Sequence, residues 1–207
     1  MPFVPAELHG SLVIVANLCW SGDADAGQEA IAPFVGLAEP LANFVRPMPL
    51  SGMYPPVDPD YRPSAVGTTM FVESIGLDEA AVILERLASS DAAFRAVQLR
   101  VLGGAVARVP VDATAYAHRT KRIMVNVATF YDAPEERAAR AAWVAEVVAA
   151  LHQGDDAVYV NFLMAEGPDR VRAAYPGATW DRLAAVKATY DPENFFSRNQ
   201  NIPPDRG

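Results

Sequence analysis

The sequence is poor in several of the residues and patterns from which sites are commonly built. Cysteine occurs once, at Cys19, which excludes a disulfide framework and a cysteine-built metal site. Cys19 lies in an apolar run and reads as a small buried hydrophobe. Histidine occurs three times, at His9, His118 and His152, with no metal-ligand spacing among them. His152 falls at an expected helix end, where a cation is mildly favoured. No glycine-rich phosphate loop is present. Gly103-Gly104 stands alone, and a strand is expected after it, which fits neither the dinucleotide nor the P-loop pattern. A serine nucleophile elbow is lacking too. Positive charge is scarce: 17 Lys and Arg against 25 Asp and Glu give a net charge of −8. That balance argues against a nucleic-acid groove or an anionic membrane surface as the main partner. The longest apolar run, Leu12 to Trp20, is broken by Asn17 and is too short to span a bilayer. Met1-Pro2-Phe3-Val4-Pro5 shows no basic region followed by an apolar stretch, so no signal peptide and a cytoplasmic location are expected.

What is present suits a folded domain. The chain has 207 residues, 51% of them hydrophobic, enough for one domain or a domain with an appendage and for a core that needs no staples. Leu12 to Ala16, rich in β-branched residues, reads as a buried strand. A helix is expected from Ala24 to Leu37, with Pro33 implying a kink or a late start, then a short strand from Asn43 to Arg46. Pro47 to Pro63 reads as a long loop of the kind that often carries function. Strands are expected at Thr68 to Val72, Ala96 to Leu102, Val106 to Val109, Ile123 to Phe130 and Val158 to Leu163. Leu77 to Ser89 reads as a helix with Asp78 and Glu79 at its positive end. A longer helix is expected from Ala133 to about Gln153. Asp132 and Glu135 stand at capping-box spacing there, Pro134 falls in the first turn, and Gly154 is the stop. Its apolar stripe is Trp143, Val144, Val147, Val148 and Leu151. Shorter helices are expected at Asp169 to Tyr175 and Thr179 to Tyr190. The order of elements points to an α+β fold, an antiparallel or mixed sheet with helices packed on one face. No carboxylate pair stands out as an acid/base couple, and the acidic residues read as helix caps and loop residues.

A series of blocks nevertheless runs in order along most of the chain: Trp20-Ser21-Gly22-Asp23; Leu102-Gly103-Gly104 through Val109; Asp112 through Tyr116-Ala117-His118-Arg119; Tyr159-Val160-Asn161-Phe162; Tyr175, Trp180, Arg182-Leu183 and Lys187; and the tail Tyr190-Asp191-Pro192, Asn194-Phe195-Phe196, Asn199-Gln200-Asn201-Ile202-Pro203. Together they resemble the C-terminal half of the berberine-bridge-enzyme-like FAD-linked oxidases.

The resemblance implies a substrate-binding α+β domain over residues 1–186 and a berberine-type tail over 187–207. In that family a separate N-terminal domain holds FAD, and this sequence is expected to begin at the substrate domain. By the same resemblance, Asn161, Asn199 and Gln200 are candidate cofactor-binding residues. Val125, Val127 and Phe162 are candidate substrate-binding residues, and Tyr159 is the candidate catalytic residue. The family position that often carries a base falls on Val125, or on Asn126 after a one-residue slip, and neither moves a proton. Phe162 stands where a second tyrosine can occur. His118-Arg119 is expected to fix a loop, and the tail to lie loose without a flavin domain. The implied function is the substrate-binding portion of an FAD-linked oxidoreductase acting on a small organic substrate. Its expected partners are a flavin-binding domain or subunit, or a second copy of the chain. A non-catalytic small-molecule-binding or dimerisation module of the same descent is the alternative.

Overall fold

A computed structural model describes residues 6–54, 60 and 62–205. The chain divides into two units, residues 1–62 and 63–207.

In the first unit, helix α1 spans Ala24–Val35. Asp23 caps it, its carboxylate accepting the N–H groups of Asp25 at 3.1 Å and Ala26 at 3.0 Å. This meets donors that a helix start leaves without partners. Gly27 lies under the Trp20 ring, where a Cβ would come within 2.8 Å of Trp20 Cδ1. Pro33 sits inside the last turn of α1. Two expectations fail in this unit. Leu12 to Ala16 and Asn43 to Arg46 are irregular, not strands, and Ile14 is 89% exposed. A β-branched run becomes a strand only when a neighbour completes its ladder, and no strand pairs with either segment among the described residues. Cys19 is accordingly exposed rather than buried. Part of the long loop, Leu50–Met53, is a 3-10 turn, while residues 55–59 and 61 lie outside the described ones.

The second unit contains strand β1 (Ser64–Val72), helix α2 (Leu77–Ser89), strand β2 (Arg95–Val101), helix α3 (Gly104–Arg108), strand β3 (Ile123–Tyr131), and helices α4 (Arg137–Leu151), α5 (Pro168–Ala174) and α6 (Ala178–Tyr190). The sheet is antiparallel in the order β1-β3-β2, and the fold is α+β as expected. Met70, Val72, Val125 and Val127 meet Ile83 of α2 and Val144, Val147 and Leu151 of α4 in one core, so the expected stripe of α4 is the buried one. Alternation along a strand turns the intervening residues to the other face. There Thr69, Asn126 and Gln98 form one row, since Thr69 and Gln98 both pair with Asn126. Gly67 lets β1 approach β3: a Cβ there would lie 2.8 Å from the Val127 carbonyl.

Three local expectations are corrected here. The cap of the long helix uses Glu136, not Glu135. Its carboxylate accepts from Asp132 N–H at 3.1 Å and Ala133 N–H at 3.4 Å, and a 3-10 turn at Pro134–Glu136 precedes α4. Val106 to Val109 does not extend, because Gly103 and Gly104 both take positive φ and turn the chain into α3. Val158 to Leu163 is not a ladder strand but contains a 3-10 turn at Val160–Phe162. Its core is separate: Val158, Leu163 and Ala174 pack together.

Candidate functional site

The face of the sheet turned away from α2 and α4 carries a row of rings. Phe71 of β1 meets His118 at 5.0 Å between centroids. His118 meets Tyr116 edge-on at 5.9 Å, Tyr116 meets Tyr159 edge-on at 5.6 Å, and Tyr159 meets Phe162 at 5.6 Å. Arg100 of β2 ends the row, its guanidinium carbon 4.6 Å from the Phe162 centroid. Edge-on contacts suit the ring quadrupoles, and a guanidinium over a ring adds cation–π attraction.

Two loops bring these side chains to the sheet. The first is the stretch before β3. Arg119 holds it closed, donating through Nε to the Tyr116 carbonyl at 3.1 Å and through Nη2 to Thr114 Oγ1 at 2.7 Å, with its guanidinium 4.9 Å from the Tyr116 ring centroid. His118 is 4% exposed, and its Nε2 donates to the Ala174 carbonyl at 3.1 Å. Burial holds its pKa below the ordinary 6.5, opposed in part by that carbonyl. Buried and hydrogen-bonded to Ala174, the imidazole ties this loop to α5.

The second is the segment from Val158 to Arg170. The buried Thr69 hydroxyl accepts the Tyr159 N–H at 2.9 Å. Arg170 donates through Nη2 to the Thr69 carbonyl at 3.2 Å, through Nη1 to the Asp156 carbonyl at 3.1 Å and through Nε to Glu166 at 3.2 Å. Glu166 in turn accepts the Thr68 hydroxyl at 2.7 Å. The segment is thus bolted to β1 by side chains instead of a ladder. The tie of Arg170 to β1 carries no sequence signal, because Thr69 lies far away in the chain.

Tyr159, Asn161 and Phe162 come together on the open face. Asn161 Nδ2 donates to the Tyr159 hydroxyl at 2.7 Å. Asn126 Nδ2 and Arg100 Nη2 both reach Gln98 Oε1, at 3.4 and 3.2 Å. Burial, chiefly, pushes the Tyr116 hydroxyl above the usual phenol range. Tyr116, quoted in the sequence only as part of the His118-Arg119 block, and Arg100, given no role there, belong to this cluster; register across the sheet and ring contacts bring them in. Val125 and Val127 stand elsewhere. Both are 0% exposed, in the core beneath α2 and α4, and Asn126 between them is the residue that turns toward Gln98.

The tail is tied down, contrary to the expectation that it lies loose. Asp191 accepts the N–H groups of Phe195 at 2.7 Å and Phe196 at 3.0 Å and pairs with Lys187. Lys187 also donates to the Phe196 carbonyl at 2.7 Å. Gln200 Nε2 donates to the Leu163 carbonyl at 2.6 Å, and Asp205 N–H to the Ala184 carbonyl at 3.1 Å. Asn199 takes φ +58° and is exposed. Phe195 and Phe196 remain 81% and 74% exposed.

An isoalloxazine ring needs polar partners at its edge, and Asn161 is an exposed amide on this face. The FAD pyrophosphate is less well served. Gly103-Gly104 opens a helix of only five residues and lacks the dinucleotide spacing. Asn161 is thus a group that could meet the edge of a flavin ring, and no glycine-rich phosphate loop is found among the described residues. No helix among the described residues is long and apolar enough to cross a membrane.

Comparisons with known proteins agree with the fold. Residues 158–203 match the family model described as berberine and berberine like. The uncharacterized FAD-linked oxidoreductase YgaK of Bacillus subtilis (strain 168) is 29% identical over 211 aligned positions, covering 86% of this chain and 43% of the relative. Among solved structures, a chitooligosaccharide oxidase superposes with a TM-score of 0.60 at 20% identity, covering 89% of this chain and 44% of its own. Berberine bridge enzyme from Eschscholzia californica superposes with a TM-score of 0.61 at 19% identity, covering 72% and 34%. At these identities the superpositions speak for the fold alone. The chain thus carries a berberine and berberine-like domain at residues 158–203 and is homologous to FAD-linked oxidoreductases, of whose length it spans less than half.

Proposed function

We propose that this chain is the substrate-covering portion of an FAD-linked oxidoreductase acting on a small organic molecule, working beside a flavin-binding domain or subunit. The observation that carries it is the open sheet face, where Tyr159, Asn161 and Phe162 gather with Tyr116. FAD, when bound, would supply the hydride acceptor, as cofactors commonly supply the hard chemistry. The chain's own residues would do the rest. The rings of Tyr116, Tyr159 and Phe162 would flank the substrate and exclude water. Asn161 would hold the Tyr159 hydroxyl in place, and that hydroxyl is the group on this face suited to handling a proton. In this reading Asn199 and Gln200 would approach the flavin from the tail, with residues 1–186 as the substrate domain and 187–207 as the tail. Val125 and Val127 would support the sheet from behind. A cytoplasmic location goes with this reading.

A second reading, a non-catalytic binding or dimerisation module of the same descent, is favoured by one observation. Among the described residues no carboxylate is found in contact with Tyr159, Asn161 or Phe162, and His118 is buried against Ala174. The test is a titration of the purified chain with FAD, followed by flavin fluorescence, alone and with the complementary flavin-binding part of the Bacillus relative. Saturable quenching at about micromolar FAD, and substrate-dependent flavin reduction in the mixture, supports the oxidoreductase reading. Quenching with no reduction by any alcohol, sugar or phenol supports the second. No quenching in either preparation sinks the first.

A further inference from the structure

We infer that Arg100 makes the open face a recognition surface for a carboxylate, so that the small molecule taken there is an organic acid. This rests on reading that face as the substrate surface. Arg100 sits on β2 opposite Met124, with its guanidinium carbon 4.6 Å from the Phe162 centroid. Phe162 in turn touches Tyr159, whose hydroxyl Asn161 holds. The cation is therefore one ring away from the candidate catalytic hydroxyl.

Arg86, Lys121, Arg140, Arg170 and Lys187 each lie against a carboxylate, whereas Arg100, like Arg119 and Arg172, lies against a ring. Arg100 bonds instead to the neutral Gln98 Oε1 at 3.2 Å, and among the described residues no carboxylate pairs with it. The neighbouring polar groups are amides and hydroxyls: Gln98, Asn126, Asn161 and Tyr159. In a chain of net charge −8, the polar side chains named around Arg100 are neutral. An amine would find no counter-charge there, whereas a carboxylate would. A guanidinium laid over a ring keeps its edge N–H groups free for in-plane acceptors. Gln98 takes one donor and leaves others for the paired oxygens of a carboxylate. Arg100 is itself exposed, so the gain in affinity is modest.

The test uses the full chain and two probes that differ in charge, benzoate and benzyl alcohol, at neutral pH. Nitrogen-15 NMR follows the Arg100 side-chain N–H and the Asn161 side-chain amide. Benzoate is expected to move both signals and to bind about five- to tenfold more tightly than benzyl alcohol. Arg100→Met should remove that preference, while Arg100→Lys should keep part of it. Equal affinity of the two probes for the unaltered chain, or a preference that survives Arg100→Met, overturns the carboxylate assignment and leaves the face standing as a substrate surface. If neither probe moves the Asn161 amide, the substrate-surface reading falls together with the inference.

Discussion

Thr69 holds Tyr159 by its backbone: the buried hydroxyl on β1 accepts the Tyr159 N–H at 2.9 Å, across 90 residues of sequence. One side chain thereby places the candidate catalytic tyrosine over the sheet, where a ladder bond would otherwise have done so. Thr69→Val keeps the shape and removes the acceptor. The unpaired N–H should cost about 1–3 kcal/mol, read as a fall in urea midpoint, and Thr69→Ser should restore most of it. A Thr69→Val protein as stable as the original would show that Arg170 and Glu166 suffice to hold the segment.

His118 gives the stability a pH signature. Its folded pKa lies below the ordinary 6.5, because burial disfavours the charged ring. The unfolded chain therefore binds more protons as pH falls below about 6.5, so the His118 contribution is fully present above that pH and declines below it. Lys121 beside the ring acts in the same direction, while Asp155 and the Ala174 carbonyl oppose it. Asp155 and Asp191, with carboxyls held below their ordinary 3.8, lose their contributions only in stronger acid. Urea midpoints between pH 7.5 and 5 should fall, and His118→Gln should flatten that slope. An equal slope in both proteins would assign the acid sensitivity to other groups.

Asp191 closes the tail onto α6 through Phe195 N–H, Phe196 N–H and Lys187. Asp191→Ala should release the exposed Phe195 and Phe196 to chymotrypsin, with cleavage there faster than in the unaltered chain. The β-sheet core should keep its midpoint, because α4 and the sheet form a separate cluster. Unchanged cleavage kinetics would mean that Gln200 and Asp205 suffice to hold the tail.

Tyr159→Phe removes a hydroxyl on the partly open face without emptying a core. It should change the thermal midpoint little, since substitutions away from buried networks usually do. In a preparation complemented with flavin it should lower kcat by about a hundredfold, the low end of what a positioned proton acceptor contributes. A rise in KM at unchanged kcat would mean that Tyr159 only binds.

The central pieces of the fold were legible because their signals are local. The alternation in Val97, Leu99 and Val101 gave β2, the stripe Val144, Val147 and Leu151 gave α4, and Leu77 to Ser89 matched α2 to the residue. The family resemblance was legible in the tail, where Asp191 and Lys187 act within a few residues of one another. Other segments were misread for one shared reason. Leu12 to Ala16, Asn43 to Arg46 and Val158 to Leu163 all have strand-like composition, and composition does not say whether a ladder partner exists. Val158 to Leu163 takes a 3-10 turn while Thr69 meets the Tyr159 N–H, and Val106 to Val109 follows two left-handed glycines into a helix.

Residue types and their order along the chain were enough for the α+β class, the long amphipathic helix, the acidic surface and the berberine-like tail, since each depends on neighbours in sequence. Which face of β3 each residue serves, the meeting of Tyr116 with Tyr159, and the seat of Arg100 on Phe162 depend on strand register and on contacts between side chains far apart in sequence. A shift of one residue in that register would exchange Asn126 for Val125 on the open face, because successive side chains of a strand point to opposite sides.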